Sequence, residues 1–470
     1  MKHLSFSGTE WEPLFLNTDD ADGRNIDSIA FLKGWTVNRD IGVMEPDRKR
    51  YISNCEPIRV GRGSSVSLCR SGYSYKLYFY TPEIEKIWIS TSNQQEDSSW
   101  IRYIKDESVL EWTEGRTVVK RDGYVRIVLK KNDGKRFVPE ETGNLLCIEI
   151  TKPEEDDVAS VFDDEISDTV SKVRAMKDTG DTVLFIAADS HFAVNGTWNH
   201  TIQNMKRVSE AVEPAALIHL GDLTDGRLPI YVTKQYAARM IRDLESVSRN
   251  CFVCVGNHDW NINDRWYDML KEEECRKLYS HGKKWESFDI PDGKLRLFIL
   301  NSFDPSGSSP EEQYGFAREE LRWVRKGLKT MPGDYSALFF SHLTLFPEQH
   351  RWSKGIRGSD ELLEILNRAN RKNVRVLGYI CGHNHSDGID CSQSFPVISL
   401  ASNKLESASG DPNGHKHEDK FARSLNMPGE DLWDVLAIDK NEQRLKFVRF
   451  GAGEDRTADA GVTRKKYFDE

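Results

Sequence analysis

Long apolar runs are missing from this 470-residue chain. No stretch approaches the roughly 18 consecutive apolar residues of a membrane-spanning helix, so no span is expected. The opening Met1-Lys-His-Leu-Ser-Phe-Ser-Gly8 has no apolar core of a secretory signal either. A cytoplasmic setting is the default expectation, with association with a virion or a cell surface left open. Basic excess is missing too: 65 Lys and Arg stand against 75 Asp and Glu, a formal net charge of −10. A dedicated nucleic-acid binder carries a basic domain or stripe, so nucleic acid is not an expected partner. Cysteine is sparse. The eight stand at 55, 69, 147, 251, 254, 275, 381 and 391, and no disulfide framework is legible in them. The one Cys-x-x-Cys spacing, at Cys251 and Cys254, falls in a predicted strand, where residues three apart point to opposite faces. That disfavours a dithiol or a zinc knuckle and leaves reduced, buried cysteines as the expectation. Internal repeats and low-complexity tracts are absent as well. The chain is long enough for two or three domains, and its 38% hydrophobic content is adequate for packed cores.

Short apolar runs are present, and each leads into polar residues. Thr182-Val-Leu-Phe-Ile-Ala-Ala188 precedes Asp189-Ser190-His191, and Ala216-Leu-Ile-His-Leu220 precedes Gly221-Asp222-Leu223-Thr224-Asp225. Cys251-Phe-Val-Cys-Val255 precedes Gly256-Asn257-His258-Asp259. Ser336-Ala-Leu-Phe-Phe340 precedes His342, and Val374-Arg-Val-Leu-Gly-Tyr-Ile380 precedes Gly382-His383-Asn384-His385. Continuous apolar runs of this length read as parallel strands covered on both faces. Helical periods lie between them, with Ile202, Met205, Val208 and Val212, then Tyr236, Met240, Leu244 and Val247. Strand, polar turn, helix, strand is the pattern of a parallel α/β sheet, which presents ligand groups at its carboxyl edge.

Carboxylate oxygen, amide oxygen and imidazole nitrogen without thiolate suit divalent manganese, iron or zinc and disfavour a soft metal. Two Asp, one Asn and four His exceed what one ion needs. Two ions about 3.5–4 Å apart, bridged by one carboxylate, would use them all, an arrangement suited to in-line displacement at phosphorus.

In that order, the five motifs across 182 to 399 resemble the calcineurin-like metallophosphoesterases. The resemblance implies a layered αββα fold and a binuclear phosphoesterase in which a metal-bridging hydroxide attacks phosphorus. It implies that Asp189, His191 and His385 hold the first metal and that Asn257, His342 and His383 hold the second. Asp222 would bridge them. His258 would act as general acid or transition-state stabiliser, oriented by Asp225 in a His–carboxylate pair. Purple acid phosphatases carry a tyrosine ligand in the second motif, where this chain has Asp225. Protein Ser/Thr phosphatases read Gly-Asn-His-Glu where this chain has Asp259, and here Gly226 precedes Arg227. The pattern is more similar to the phosphodiesterase branch, so a phosphate ester, favouring a diester, is the expected substrate. Two alternatives come from other classes. One is a metal-poor member that keeps the fold as a recognition surface, as the retromer phosphoesterase-like subunit does. The other is an adhesin that binds a glycan or cell-wall polymer through the N-terminal region.

Other polar residues have plainer readings. His219, inside a strand, reads as a packed core residue, and His200 as a solvated helix start. His415 and His417 read as a surface loop, Asp259 as either a loop brace or a participant in the chemistry, and Trp198, Trp260 and Trp352 as core or rim packing.

Residues 1–152 have a different texture. Tyr73-Ser-Tyr-Lys-Leu-Tyr-Phe-Tyr80, Lys86-Ile-Trp-Ile-Ser90 and Tyr124-Val-Arg-Ile-Val-Leu-Lys130 alternate, with Val125, Ile127 and Leu129 on one face and Arg126 and Lys130 on the other. Period two with turn-rich breaks predicts an antiparallel β-sandwich. It is similar to jelly-roll, carbohydrate-binding-like modules; a scaffold whose aromatics are core is the equal alternative. An acidic linker and a helix occupy 153–180, and the metallophosphoesterase domain spans 181–470. Strands near 396–401, 433–438 and 445–450 are expected to complete a second sheet, and 451–456 to form a turn.

Overall fold

The computed structural model describes residues 14–19, 25–33, 35–40, 42, 44–46, 51–54, 58–68, 70–82, 101–137, 146–149, 161–192, 197–226, 230–261, 269–304, 307, 310–347, 355–372, 374–405, 423, 427–439 and 442–460. The chain divides into two compact units, 1–157 and 158–470. The strand expected at 86–90, the acidic stretch 153–160, Trp352, His415, His417, Cys55 and Cys69 lie outside the described residues.

In the first unit the strands Tyr73–Pro82 and Gly123–Lys131 pair antiparallel, with Tyr75 opposite Leu129, Leu77 opposite Ile127 and Phe79 opposite Val125. Alternation sends these six to one face, where Val60, Val66 and Val119 join them in a core. Arg126 departs from its expected outward position: it is 2% exposed, on a face shared with the buried Tyr78 and Tyr80. Alternation reports two faces but not that the second is also covered. The described strands of this unit form antiparallel sheets of eight, three and two strands.

The second unit holds two six-stranded sheets. The five motif strands do not share one of them. Thr182–Ala187, Ala216–His219 and Cys251–Val253 run parallel in the first sheet, and Ser336–Ser341 and Val376–Cys381 run parallel in the second. Leu432–Asp439 and Arg444–Gly451 also depart from expectation, extending the first sheet in antiparallel pairing, while Val397–Ser399 joins the second. Hydrophobic runs reveal that a strand is covered, not which neighbour it pairs with.

The sheets pack face to face. Leu184, Ile186, Ile218 and Leu436 of the first share one buried core with Leu297, Leu338, Phe340 and Ile398 of the second, each such side chain contributing about 1.5–3 kcal/mol. Helices Arg318–Thr330 and Ser359–Arg371 cover the outer face of the second sheet through Leu321, Val324, Leu362 and Leu366. Helix Asp163–Asp178 belongs with the second unit and not with a linker: Phe162 at its start stacks on Phe450, and Glu165 accepts the Gly451 N–H at 2.9 Å. The layers are helix, sheet, sheet, helix. Among the described residues no helix is long and apolar enough to cross a membrane.

Candidate metal centre

Both sheets deliver their polar turns to one place. Asp189, Asp222 and Asn257 follow the three parallel strands of the first sheet, and His342, His383 and His385 follow two strands of the second. Backbone bonds lock the turns together: Asp189 N–H donates to Gly221 O at 3.0 Å, His191 N–H to Asp222 O at 2.9 Å and Gly382 N–H to His342 O at 3.1 Å. Asp189, His191, Asp222, His383 and His385 all have positive φ, between 39° and 68°. Left-handed backbone at non-glycine residues is costly, and its concentration in one spot points to a functional constraint. Gly256 is needed for closeness, since a Cβ there would lie 2.1 Å from Asp222 Oδ1.

One cluster joins Asp189, His191 and His385, and His191 also groups with Asp225 and His258. His191 Nε2 lies 3.1 Å from His385 Nε2 and 3.7 Å from Asp222 Oδ2, and His385 Nε2 lies 3.8 Å from Asp189 Oδ1. The other cluster centres on His342 Nε2, which is 3.1 Å from Asn257 Oδ1, 2.9 Å from His383 Nδ1 and 3.3 Å from Asp222 Oδ2. Asp222 Oδ2 therefore borders both clusters. Its other oxygen, Oδ1, is occupied by the backbone N–H of His258 at 2.8 Å.

The donor chemistry fits cations. His342 donates Nδ1–H to Leu220 O at 2.9 Å, so in the neutral ring its Nε2 is a lone pair facing the oxygen lone pairs of Asn257 and Asp222. Converging lone pairs in a buried pocket need a positive charge among them. Burial opposes an imidazolium at His342, yet Asp222 and Asp189 outweigh it and hold the pKa up at about 9. A divalent ion satisfies more of these atoms than one proton can. His191, driven down to about 3 by burial, stays neutral as a ligand must. Burial raises Asp189 to about 6 against the pull of His385 and His342. Burial also presses Asp222 upward, but His342 and His258 outweigh it and hold that carboxyl well below the usual range. His191 Nδ1 and Asp225 Oδ1 face each other at 3.4 Å, both buried, with no hydrogen bond completed on either.

The expected His258–carboxylate pair is replaced by another contact. His258 Nδ1 donates to the backbone carbonyl of Asp225 at 2.6 Å, and the Asp225 carboxylate faces His191 instead. Gly226 explains the approach: a Cβ there would sit 1.9 Å from His258 O. With Nδ1 committed, Nε2 is the atom of His258 free to give or take a proton. Asp259 braces the loops, accepting N–H bonds from Gly256 at 2.9 Å and Thr224 at 3.1 Å. Burial, followed by the nearby Asp222, raises its pKa to about 7.

His200 is no solvated helix start. Its Nδ1 lies 2.5 Å from the buried Glu430 carboxylate. Trp198 is buried with Nε1 donating to Asp243 at 2.9 Å, and Trp260 is buried near Phe303. Among the described cysteines, Cys251, Cys254, Cys275 and Cys381 are buried and unbridged.

His219 opens a buried chain with a defined direction. Gly221 N–H donates to His219 Nδ1 at 3.2 Å, leaving Nε2–H to donate to Ser190 Oγ at 2.8 Å. Ser190 donates to Asn403 Oδ1 at 3.0 Å, and Asn403 Nδ2 donates to Asp431 Oδ1 at 3.1 Å. Sequence reasoning missed the roles of Ser190, Asn403 and Asp431: their neighbours, among them Asp189, His191, Ser402, Lys404 and Glu430, are polar too, so nothing in the sequence sets them apart. Asn403→Leu leaves Ser190 and Asp431 each short of a partner. The expected result is a loss of about 1–3 kcal/mol and weaker metal binding, checked by thermal unfolding and manganese titration.

Residues 182–387 match the model of the family described as calcineurin-like phosphoesterase. Among curated proteins, the DNA double-strand break repair protein Mre11 of Methanosarcina acetivorans is 27% identical over 103 residues, 20% of this chain and only 17% of that relative's length. A dimetal phosphatase from Danio rerio is 16% identical, covering 59% of this chain and 99% of that one, with a TM-score of 0.42. Vps29 from Entamoeba histolytica is 10% identical, covering 59% of this chain and 99% of that one, with a TM-score of 0.27. The family match lies wholly within the second unit and spans the residues that form the clusters described above.

Proposed function

We propose that the second unit is a binuclear metal-dependent phosphoric ester hydrolase with a phosphodiester as its favoured substrate. The observation that carries this reading is the sharing of Asp222 Oδ2 between two ligand clusters. Asp189, His191 and His385 would hold one divalent ion, Asn257, His342 and His383 the other, and Asp222 both. Such ions supply Lewis acidity at phosphoryl oxygens and an activated water. The chain's own contribution is positioning: buried carboxylates stay ionised, His191 stays neutral, and the Asp225 carbonyl orients His258 so that Nε2 can hand a proton to the leaving oxygen. The diester preference is supported by the motif pattern alone.

The test is hydrolysis of bis-p-nitrophenyl phosphate beside p-nitrophenyl phosphate, with metal content measured on the same sample. Turnover with about two bound metals, abolished by a chelator and restored by manganese, is the expected result. A metal-replete protein inert toward both compounds would move the reading to a recognition protein.

For the first unit we infer a β-sandwich accessory module. The aromatics Tyr75, Tyr78, Phe79 and Tyr80 are buried, which supports a scaffold over a sugar-stacking platform. The ring of Trp112, a half-buried alternative, already carries Lys76 and Lys130 ammonium groups at 4.9 and 4.6 Å. Retention of the full chain on an immobilised wall polysaccharide would reverse that preference.

A further inference from the structure

Lys404 is a buried cation that the chemistry above does not use. It is 7% exposed, and the segment that carries it is built into the metal centre. Asn403 N–H donates to Ala188 O at 2.7 Å, Lys404 N–H to Asp189 O at 3.3 Å, and Ser402 Oγ to Asp189 O at 2.8 Å. From the other side the Arg423 guanidinium donates to the carbonyls of Ser402, Asn403 and Lys404 at 3.0, 3.0 and 2.7 Å, and to that of Glu430 at 2.8 Å. The backbone at Lys404 is thus fixed against the turn that bears Asp189.

The Lys404 ammonium lies within electrostatic reach of Asp225 and His191, on the flank where His258 stands. Among the described residues, no hydrogen bond or ion pair engages it. Among the described residues the carboxylate within its reach is that of Asp225, beyond ion-pair distance, so an anion brought to this flank gains from the ammonium charge.

A cation at this flank attracts a doubly charged anion more strongly than a singly charged one. A phosphodiester carries one negative charge at phosphorus. A monoester above its second pKa of about 6 carries two.

We propose that Lys404 binds an anionic phosphoryl oxygen of the substrate and gives this site its capacity for dianionic phosphomonoesters relative to diesters. The inference rests on the hydrolase reading for its substrate class, but phosphate binding tests it independently.

The experiment compares wild-type protein with Lys404→Met, Lys404→Gln and Lys404→Arg, all loaded with manganese at pH 8. Metal content, inorganic phosphate affinity by titration calorimetry, and kcat/KM for p-nitrophenyl phosphate and bis-p-nitrophenyl phosphate are measured. The neutral variants are expected to keep their metal, to lose about tenfold in phosphate affinity, and to lose about tenfold in the monoester-to-diester ratio; Lys404→Arg retains most of both. Lys404→Gln guards against a folding defect particular to methionine. Unchanged phosphate affinity with equal effects on both esters would overturn the assignment, reduce Lys404 to a counter-charge for Asp225, and leave the hydrolase reading intact. Wild-type protein inert toward both esters, with phosphate affinity still dependent on Lys404, would instead overturn the hydrolase reading and support the binding role.

Discussion

Asp222→Ala is expected to empty the metal centre. Bound metal should fall from about two ions per chain to below one, and turnover by at least about 10³-fold. The reason is geometric: Asp222 Oδ2 borders both His191 Nε2 and His342 Nε2, so its loss takes a ligand from each cluster at once. The two oxygens have separate duties, since Oδ1 is tied to His258 N–H. Metal analysis beside an ester assay checks the expectation, and a variant retaining two ions and normal turnover would remove the bridging role.

His258→Ala is expected to do the opposite to metal content. Alanine keeps the backbone N–H that holds Asp222 Oδ1, so the clusters persist and both ions should stay. Turnover should drop by about 10²–10⁴-fold, the usual range for a lost proton-transfer group. The loss should be greater for alkyl leaving groups, whose oxygens need the proton, than for p-nitrophenolate, which departs without it. Equal losses for both leaving groups would point to a positioning role for His258.

The seven ligand candidates were legible because each follows a continuous apolar strand, and a parallel strand has only one edge at which to present a side chain to a ligand. What such runs do not encode is pairing: the pattern reads as one parallel sheet, whereas the strands ending at Ser341 and Cys381 lie in a different sheet from those ending at Ala187 and His219. The role of Asp225 was misread for a related reason. Sequence identifies a carboxylate, whereas the contact to His258 uses the backbone carbonyl that every residue has. Arg126 sits in an alternating strand and reads as solvent-facing until the covering Tyr78 and Tyr80 are seen. Lys404 lies beyond the last motif, in Ala401-Ser-Asn-Lys-Leu405, and only the tether to Asp189 brings it to the centre.

The division of ligands between the sheets has a thermodynamic consequence. Each cluster draws from both: Asp189 and His191 meet His385 of the second sheet, and Asp222 and Asn257 meet His342 and His383 of the same sheet. With two ions bound as proposed, neither layer could open on its own without releasing both. Metal binding would then add to the cooperativity of the whole unit, in the way that any ligand of the native state alone shifts the unfolding equilibrium. Local openings at the strand ends, which would otherwise exchange their amides independently, would be merged by the ions into one global event.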